Sequence, residues 1–368
     1  ISLLADPDYE HRFFVDGTPA VNDVVIGGLW KTVLVGSMGV GGRSIFAIDV
    51  TDPDNVDAND VLWEFTDPDL GYGVSEVQVI PMPNGGFAAV FGNGYNSDSD
   101  RAMLFIVDVA DGSLLAKIDT GVGDSTNPNG LAPVVASSWP QLNFVPQYVY
   151  GGDLQGNLWR FDVTDDSASN WDSAHKLFQA TDPGGDPQPI TVQPRLSLNP
   201  KRSGELIINF GTGSFFRNQD NSQTNPQVQT LYGIRETLKN TSYDRGDLLQ
   251  QEIAWQDEVI ALGAVRTVRR ISDHKYSKPE ESGYFLDLIY GGNQVGERVI
   301  SRVTFPSGNR RERVRFSTMT PSEDPCSSGR LGFIFDLDLF TGGGTDFSVF
   351  DINDDGFFNF DDLVDLNM

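Results

Sequence analysis

Short apolar runs, each closed by Gly, Asp or Arg, recur along the chain, and no stretch holds the 3.6-residue apolar spacing of a long amphipathic helix. The first copy of the pattern is Thr32–Gly36, then Ser44–Val50, then Leu62–Phe65. The second is Ala89–Gly92, Met103–Asp108 and Leu114–Ile118; the third is Gln147–Gly151, Asn157–Asp162 and Lys176–Phe178; the fourth is Leu206–Gly211 followed by Thr230–Ile234. The equivalent glycines Gly36, Gly92, Gly151 and Gly211 lie 56, 59 and 60 residues apart. Apolar lead-in strands at Val74–Ile80, Leu131–Ala136 and Ile190–Leu198 bring the unit to four strands. Four-stranded units at a near-constant period predict an all-β fold of the β-propeller type, quinoprotein-like with modified blades, because sheets this small bury their faces only against neighbouring sheets. A β-sandwich with long insertions competes, but does not predict the spacing.

A weaker fifth unit joins Val314–Ser317 to Leu331–Asp336. Residues 1–345 are therefore read as blades, with an elaborated insertion at about 220–302, where Gln223-Thr224-Asn225-Pro226 and a helical-looking Leu248–Ile253 break the rhythm. Residues 346–368 form a separate terminal segment, part of a further blade. The repeat glycines are expected to supply positive φ after the second strand, and the repeat aspartates to open turns. None of them is a catalytic candidate.

Composition sharpens this picture. The chain holds 39 Gly, 20 Pro and 24 Phe, a turn-rich and aromatic-rich mixture suited to many short strands. With 26 Lys+Arg against 52 Asp+Glu, the formal charge of −26 argues against nucleic-acid binding, which needs a cationic surface. Such a surface suits hard cations and an extracellular setting. Cys326 is the single cysteine, which excludes a disulfide framework within the chain and disfavours a zinc–thiolate site. No run of 18 or more apolar residues predicts a membrane-spanning helix. The opening Ile1-Ser2-Leu3-Leu4 is too short for a signal peptide and begins without Met, so the chain reads as a piece of a longer protein.

The segment that carries chemistry is Asp351–Asp362. It matches the twelve-position EF-hand loop, with oxygen side chains at positions 1, 3 and 5, Gly356 at position 6, Asn at 9 and a carboxylate at 12. Asp351, Asn353 and Asp355 are the expected side-chain ligands for Ca2+, with the Phe357 carbonyl, Asn359 directly or through water, and Asp362. Position 12 is Asp rather than Glu, as in dockerin-like loops, which shortens its reach. Phe357, Phe358, Phe360 and Leu363 are expected to anchor the loop on the propeller, so that the metal orders the segment rather than performing chemistry. A second acidic loop, Asn96–Asp100, alternates oxygen side chains but lacks the remaining ligands, and is read as a turn.

The run Tyr150-Gly151-Gly152-Asp153-Leu154-Gln155-Gly156-Asn157-Leu158-Trp159-Arg160-Phe161-Asp162 resembles a hallmark of the PilC/PilY family of type IV pilus proteins. So do Trp30–Gly36, Phe91–Tyr95 and Thr320–Cys326. The resemblance implies an exported protein at the pilus tip or outer membrane, outside the cell after passage through the periplasm. It also implies minor and major pilins as partners, a host or surface receptor, and roles in fimbrium biogenesis, cell adhesion and twitching motility, with calcium tuning pilus extension against retraction. In relatives an Asp-rich loop precedes the Tyr-Gly-Gly-Asp run; here that stretch, Trp139–Gln147, contains no carboxylate.

Two other classes compete with this non-enzymatic reading. A pyrroloquinoline-quinone dehydrogenase shares the Asp49-Val50-Thr51 and Leu62-Trp63 pattern, but His11, His175 and His274 are scattered and form no catalytic constellation with a carboxylate. A plain envelope scaffold is the other. Arg245-Gly246-Asp247 spells the integrin-binding tripeptide, yet its place just before Leu248-Leu249 also suits a cap.

Overall fold

The computed structural model describes residues 9–83, 85–222, 224–261, 264–277, 281–306, 312–322, 331–359 and 362. Strands dominate. β1 (Ala20–Ile26), β2 (Leu29–Ser37), β3 (Ile45–Asp49) and β4 (Val61–Phe65) form the first sheet in that order. β5 (Gln78–Pro81), β6 (Phe87–Gly92), β7 (Met103–Asp108) and β8 (Leu114–Asp119) form the second. β9 (Val135–Ser137), β10 (Tyr148–Gly152), β11 (Asn157–Asp162) and β12 (Ala174–Gln179) form the third. After β13 (Arg195–Leu198), β14 (Leu206–Gly211) and β15 (Thr230–Glu236) come β16 (Leu249–Gln251), β17 (Ile253–Ala261), β18 (Ala264–Ile271) and β19 (Gly283–Asp287). The fourth sheet runs β13-β14-β15-β19-β16, its last pair parallel, while β17 and β18 make a separate hairpin. β20 (Arg313–Ser317) and β21 (Ile334–Asp338) pair antiparallel.

The chain divides into two compact units, residues 1–153 with 160–175, and residues 154–159 with 176–368. In the first, the leading strands β1, β5 and β9 lie in contact one after the next. Burial follows from this stacking: β7 is covered on both faces over Met103–Val107, whereas β1 and β4, the edge strands of the first sheet, are buried only at Val24 and Trp63.

Aromatic side chains fasten sheet to sheet at repeat-equivalent places. Phe91 and Phe105 face each other across β6 and β7 and stack at 5.7 Å, and Phe65 from the preceding sheet meets Phe105 edge-on at 5.9 Å. In the second unit Phe210 and Tyr232 are the corresponding cross-strand pair at 5.2 Å, and Phe178 of β12 packs 5.1 Å from Tyr232. The aliphatic remainder follows the same division. Val33, Val35, Ile45, Leu70 and Val107 belong to one buried cluster, and Ile207, Leu231, Leu286, Val314 and Leu337 to another.

The four repeat glycines do not serve positive φ; none of them adopts the left-handed region. They sit inside or at the end of strands where a neighbour fills the space of a side chain. A Cβ on Gly36 would meet the Phe46 ring, on Gly92 the carbonyls of Leu131 and Ala132, on Gly151 the Val134 side chain, and on Gly211 the Val299 side chain. The repeat thus records a close approach, not a turn. Gly92→Ala is expected to cost about 1–3 kcal/mol through this overpacking, read as a lower urea midpoint; an unchanged midpoint would refute the close-approach argument.

Two other expectations are corrected. Leu248–Ile253 is not helical: Leu249–Gln251 is β16 and pairs with β19, and Ile253 opens β17, because alternating burial of Leu249 and Gln251 fits a strand edge. The lead-in strands start later than the apolar pattern places them, at Gln78, Val135 and Arg195. Ile1–Leu4 and Cys326 lie outside the described residues. Among the described residues no helix is long and apolar enough to cross a membrane.

Candidate calcium loop

The loop that begins at Asp351 curls on itself through two residues in the left-handed region, Asp354 (φ 64°) and Gly356 (φ 84°). A Cβ on Gly356 would touch nothing, so glycine is required there by backbone conformation and not by space. The side-chain oxygens named by the sequence turn inward onto the loop's own N–H groups. Asp351 Oδ1 accepts from Asp355 N at 3.1 Å and its Oδ2 from Gly356 N at 2.9 Å. Asn353 Oδ1 accepts from Asp355 N at 3.1 Å, and Asp355 Oδ1 from Phe357 N at 2.8 Å.

Asp362 closes the ring. Its Oδ1 accepts from Ile352 N at 2.8 Å and its Oδ2 from Asn359 N at 3.0 Å, so one carboxylate ties the beginning of the loop to its end. The N–H of Asn359 first, then those of Ile352 and Asn353, hold this carboxyl below the usual range against the opposing effect of burial. The structure therefore brings Asp351, Asn353, Asp355 and Asp362 together, with Phe357 and Asn359 contributing backbone N–H groups to the same turn. Three carboxylates, two amide side chains and a main-chain carbonyl make an all-oxygen donor set of the kind a hard divalent cation takes. Among the described residues, however, no three His, Cys, Asp or Glu side chains stand gathered around one point as metal ligands.

The aromatic anchor expected for the loop is not there. Phe357 and Phe358 are 70% and 66% exposed, and Phe360 and Leu363 lie outside the described residues. The described contact that fastens the loop is Arg266 of β18, whose Nη1 reaches the carbonyls of Asp351 and Ile352 at 3.5 and 3.4 Å and whose Nη2 meets Asp354 at 3.3 Å. The reason is geometric: the tight turn spends positions 7 and 8 on its outer face, while the inner face is filled by the loop's own polar atoms. Sequence reasoning missed Arg266 because the β17–β18 hairpin was not recognised; the β-branched residues of Val-Arg-Thr-Val-Arg at 265–269 were the available signal, but without a period-2 alternation to mark the strand. Beside the loop lies a cleft of 690 Å³ whose walls come from β18, β21 and residues 344–352.

Other sequence candidates resolve into structure. Asp153 of the Tyr-Gly-Gly-Asp run is fully buried and accepts from Asn129 Nδ2 at 2.9 Å. In the Asn96–Asp100 turn, Asp98 pairs with Arg43 at 2.8 Å. Arg245-Gly246-Asp247 forms a one-turn 3₁₀ helix with a capping box from Asp244. The Arg245 guanidinium stacks 3.9 Å over Phe285, ion-pairs with Asp287 and donates to Thr181 O at 2.7 Å, so it is committed inward. Tyr232, buried in the same network, is pushed up to about 12.

Four-stranded sheets that follow one another in sequence and interlock through repeat-equivalent aromatics define a β-propeller domain bearing an acidic loop near its C-terminal end. The family described as PilY1 beta-propeller domain matches residues 4–266. Type IV pilus biogenesis factor PilY1 of Pseudomonas aeruginosa strain PAO1 is 37% identical over 378 residues, covering 93% of this chain and 32% of the relative. A PilY1 homolog of Xylella fastidiosa is 36% identical over 364 residues, covering 93% of this chain and 24% of the relative. The crystal structure of the Pseudomonas aeruginosa PilY1 C-terminal domain superposes with a TM-score of 0.78 at 34% identity, over 94% of this chain and 75% of that one. The chain belongs to the PilY1 β-propeller family. It spans a quarter to a third of the length of these curated relatives.

Proposed function

We propose that this chain is the non-enzymatic propeller module of a type IV pilus biogenesis factor and tip adhesin, and that it binds one Ca2+ at Asp351–Asp362. Family membership across almost the whole chain supports the pilus role, since the relatives are named as pilus biogenesis factors. On this reading the module is exported through the periplasm and displayed at the pilus tip or outer membrane. It contacts minor and major pilins and a host or surface receptor, and supports pilus extension, attachment and twitching. Arg245-Gly246-Asp247 is not assigned to the receptor contact, because Arg245 is held by Asp287 and Phe285.

The calcium assignment is supported by one observation, that Asp351, Asn353, Asp355 and Asp362 all turn side-chain oxygens onto N–H groups of one curled loop. Asp351, Asn353, Asp355 and Asp362 would hold the ion through side chains, with the Phe357 carbonyl and Asn359 completing the shell. Binding exchanges internal N–H contacts for metal contacts, so its effect is to lock the loop as a structural or regulatory switch. Calorimetric titration is expected to saturate at one Ca2+ per chain, and Asp355→Ala to give no binding heat; equal heats from both proteins would remove the assignment. Complementing a strain that lacks the gene tests the wider role: the parental sequence should restore surface pili and twitching. Normal piliation without the gene would overturn the pilus reading.

A further inference from the structure

A second cavity of 380 Å³, separate from the cleft beside the Asp351–Asp362 loop, opens in the second unit, with Pro187, Pro189, Ser214, Gln229 and Arg298 among its lining residues. Its walls are almost wholly polar, with Ser214, Thr224, Asn225 and Gln229 among them. One charged group in its lining is unusual. Arg298 is 7% exposed, yet among the described residues it makes no ion pair; its Nε donates to Gly296 O at 2.9 Å and its Nη1 to Ser214 O at 2.9 Å. A guanidinium carries five N–H donors, so three remain unused in a side chain that is nine-tenths buried. Burial depresses the Arg298 pKa, and the only opposing influence is the longer-range charge of Asp220.

An unpaired buried guanidinium is costly to keep, and that cost is recovered when an anion arrives. The site is built around it. Gly296 has φ 72°, and a Cβ there would stand 2.9 Å from Pro226 Cβ and 3.1 Å from Arg298 Nη2, so glycine suits both the backbone turn and the close approach of the guanidinium. In the same lining, Gln229 Oε1 is buried without a hydrogen-bond partner among the described residues. The lining thus holds both unused donors and an unused acceptor. Arg217, an exposed residue of the same lining, adds a second cation, and Asp220, whose Oδ2 accepts from Phe216 N and Arg217 N at 3.1 and 3.0 Å, supplies one opposing charge.

We infer that this cavity binds a carboxylate that carries a neighbouring N–H or O–H donor, with Arg298 taking the carboxylate and Gln229 Oε1 accepting from the donor. A planar guanidinium matches a carboxylate through two parallel hydrogen bonds, whereas lysine cannot. Two sources share this chemistry, a free amino or hydroxy acid and the carboxyl terminus of a polypeptide, whose last amide N–H lies beside its carboxylate.

The test is a titration of the intact chain, followed by NMR shifts or calorimetry, with L-alanine, N-acetyl-Ala-Ala and N-acetyl-Ala-Ala-amide as probes. The dipeptide acid or the free amino acid is expected to bind saturably, and the amide not to bind. Tighter binding of the dipeptide acid assigns a chain terminus, and tighter binding of alanine a free acid. Arg298→Gln and Arg298→Lys should each weaken the preferred probe by about tenfold or more, with thermal melts confirming the fold. Arg217→Gln, an exposed change, should weaken it by a smaller factor and flatten its salt dependence, and serves if the Arg298 variants do not fold. No binding of either acid, or equal binding of acid and amide, overturns the assignment.

Discussion

Truncating Arg269 to alanine is expected to lower the unfolding free energy by about 3–5 kcal/mol, among the largest effects open to a single polar side chain in this chain. Arg269 sits on β18 and forks onto Glu297, its Nη1 lying 2.9 Å from Oε1 and 2.7 Å from Oε2. The two side chains are 8% and 0% exposed. Nε donates to Gln256 Oε1 at 2.6 Å, and the guanidinium lies 3.5 Å over the Phe333 ring. Without Arg269, Glu297 keeps, among the described residues, only the Thr318 hydroxyl at 2.5 Å as a side-chain donor, and a carboxylate with no exposure is left uncompensated. Replacing both partners together, Arg269→Met with Glu297→Leu, should be far less harmful than either truncation, because no orphan charge remains. Denaturant midpoints of the two single variants and the double variant make the comparison. A loss under about 1 kcal/mol for Arg269→Ala would place the pair among surface-type bridges and refute the argument. Since Arg266 on the same strand holds the Asp351–Asp362 loop, Arg269→Ala should also weaken the proposed calcium binding.

Local patterns were legible in the sequence, and distant ones were not. The strands Met103–Asp108, Asn157–Asp162 and Leu206–Gly211 have the bounds that their apolar runs and closing residues predict. The loop at Asp351–Asp362 was readable because its oxygen donors and its glycine are set by spacing within twelve positions. Its fastening to Arg266 was not, because that contact spans more than eighty residues and depends on a hairpin whose exposed, Arg-rich strands lack a clear apolar period. The glycine period was found for a reason that the structure replaces. Repetition of Gly36, Gly92, Gly151 and Gly211 is visible in one dimension, but whether a glycine serves a turn or a close approach depends on a neighbour elsewhere in the fold. Likewise, the spelling of Arg245-Gly246-Asp247 carries no sign that Phe285 and Asp287 occupy the arginine.

Phe105→Ala is expected to cost about 3–5 kcal/mol and to act on the packing between sheets more than on any one sheet. Phe105 is fully buried in the centre of β7, with Phe91 opposite it on β6 and the Phe65 ring of the first sheet against it. A small four-stranded sheet cannot bury its own faces, so the rings at this seam supply cohesion that the backbone ladder does not. The truncation empties a space bounded by side chains on two sheets, neither of which can collapse into it without moving its strands. A cycle with Phe91→Ala should report a coupling of about 0.5–1.5 kcal/mol, the range for an aromatic pair beyond its buried area. A Phe105→Ala loss below about 1 kcal/mol would show that the seam relaxes freely. In that case the aromatic positions would be passengers of the repeat, and the close approaches at the glycines would remain as its physical cause.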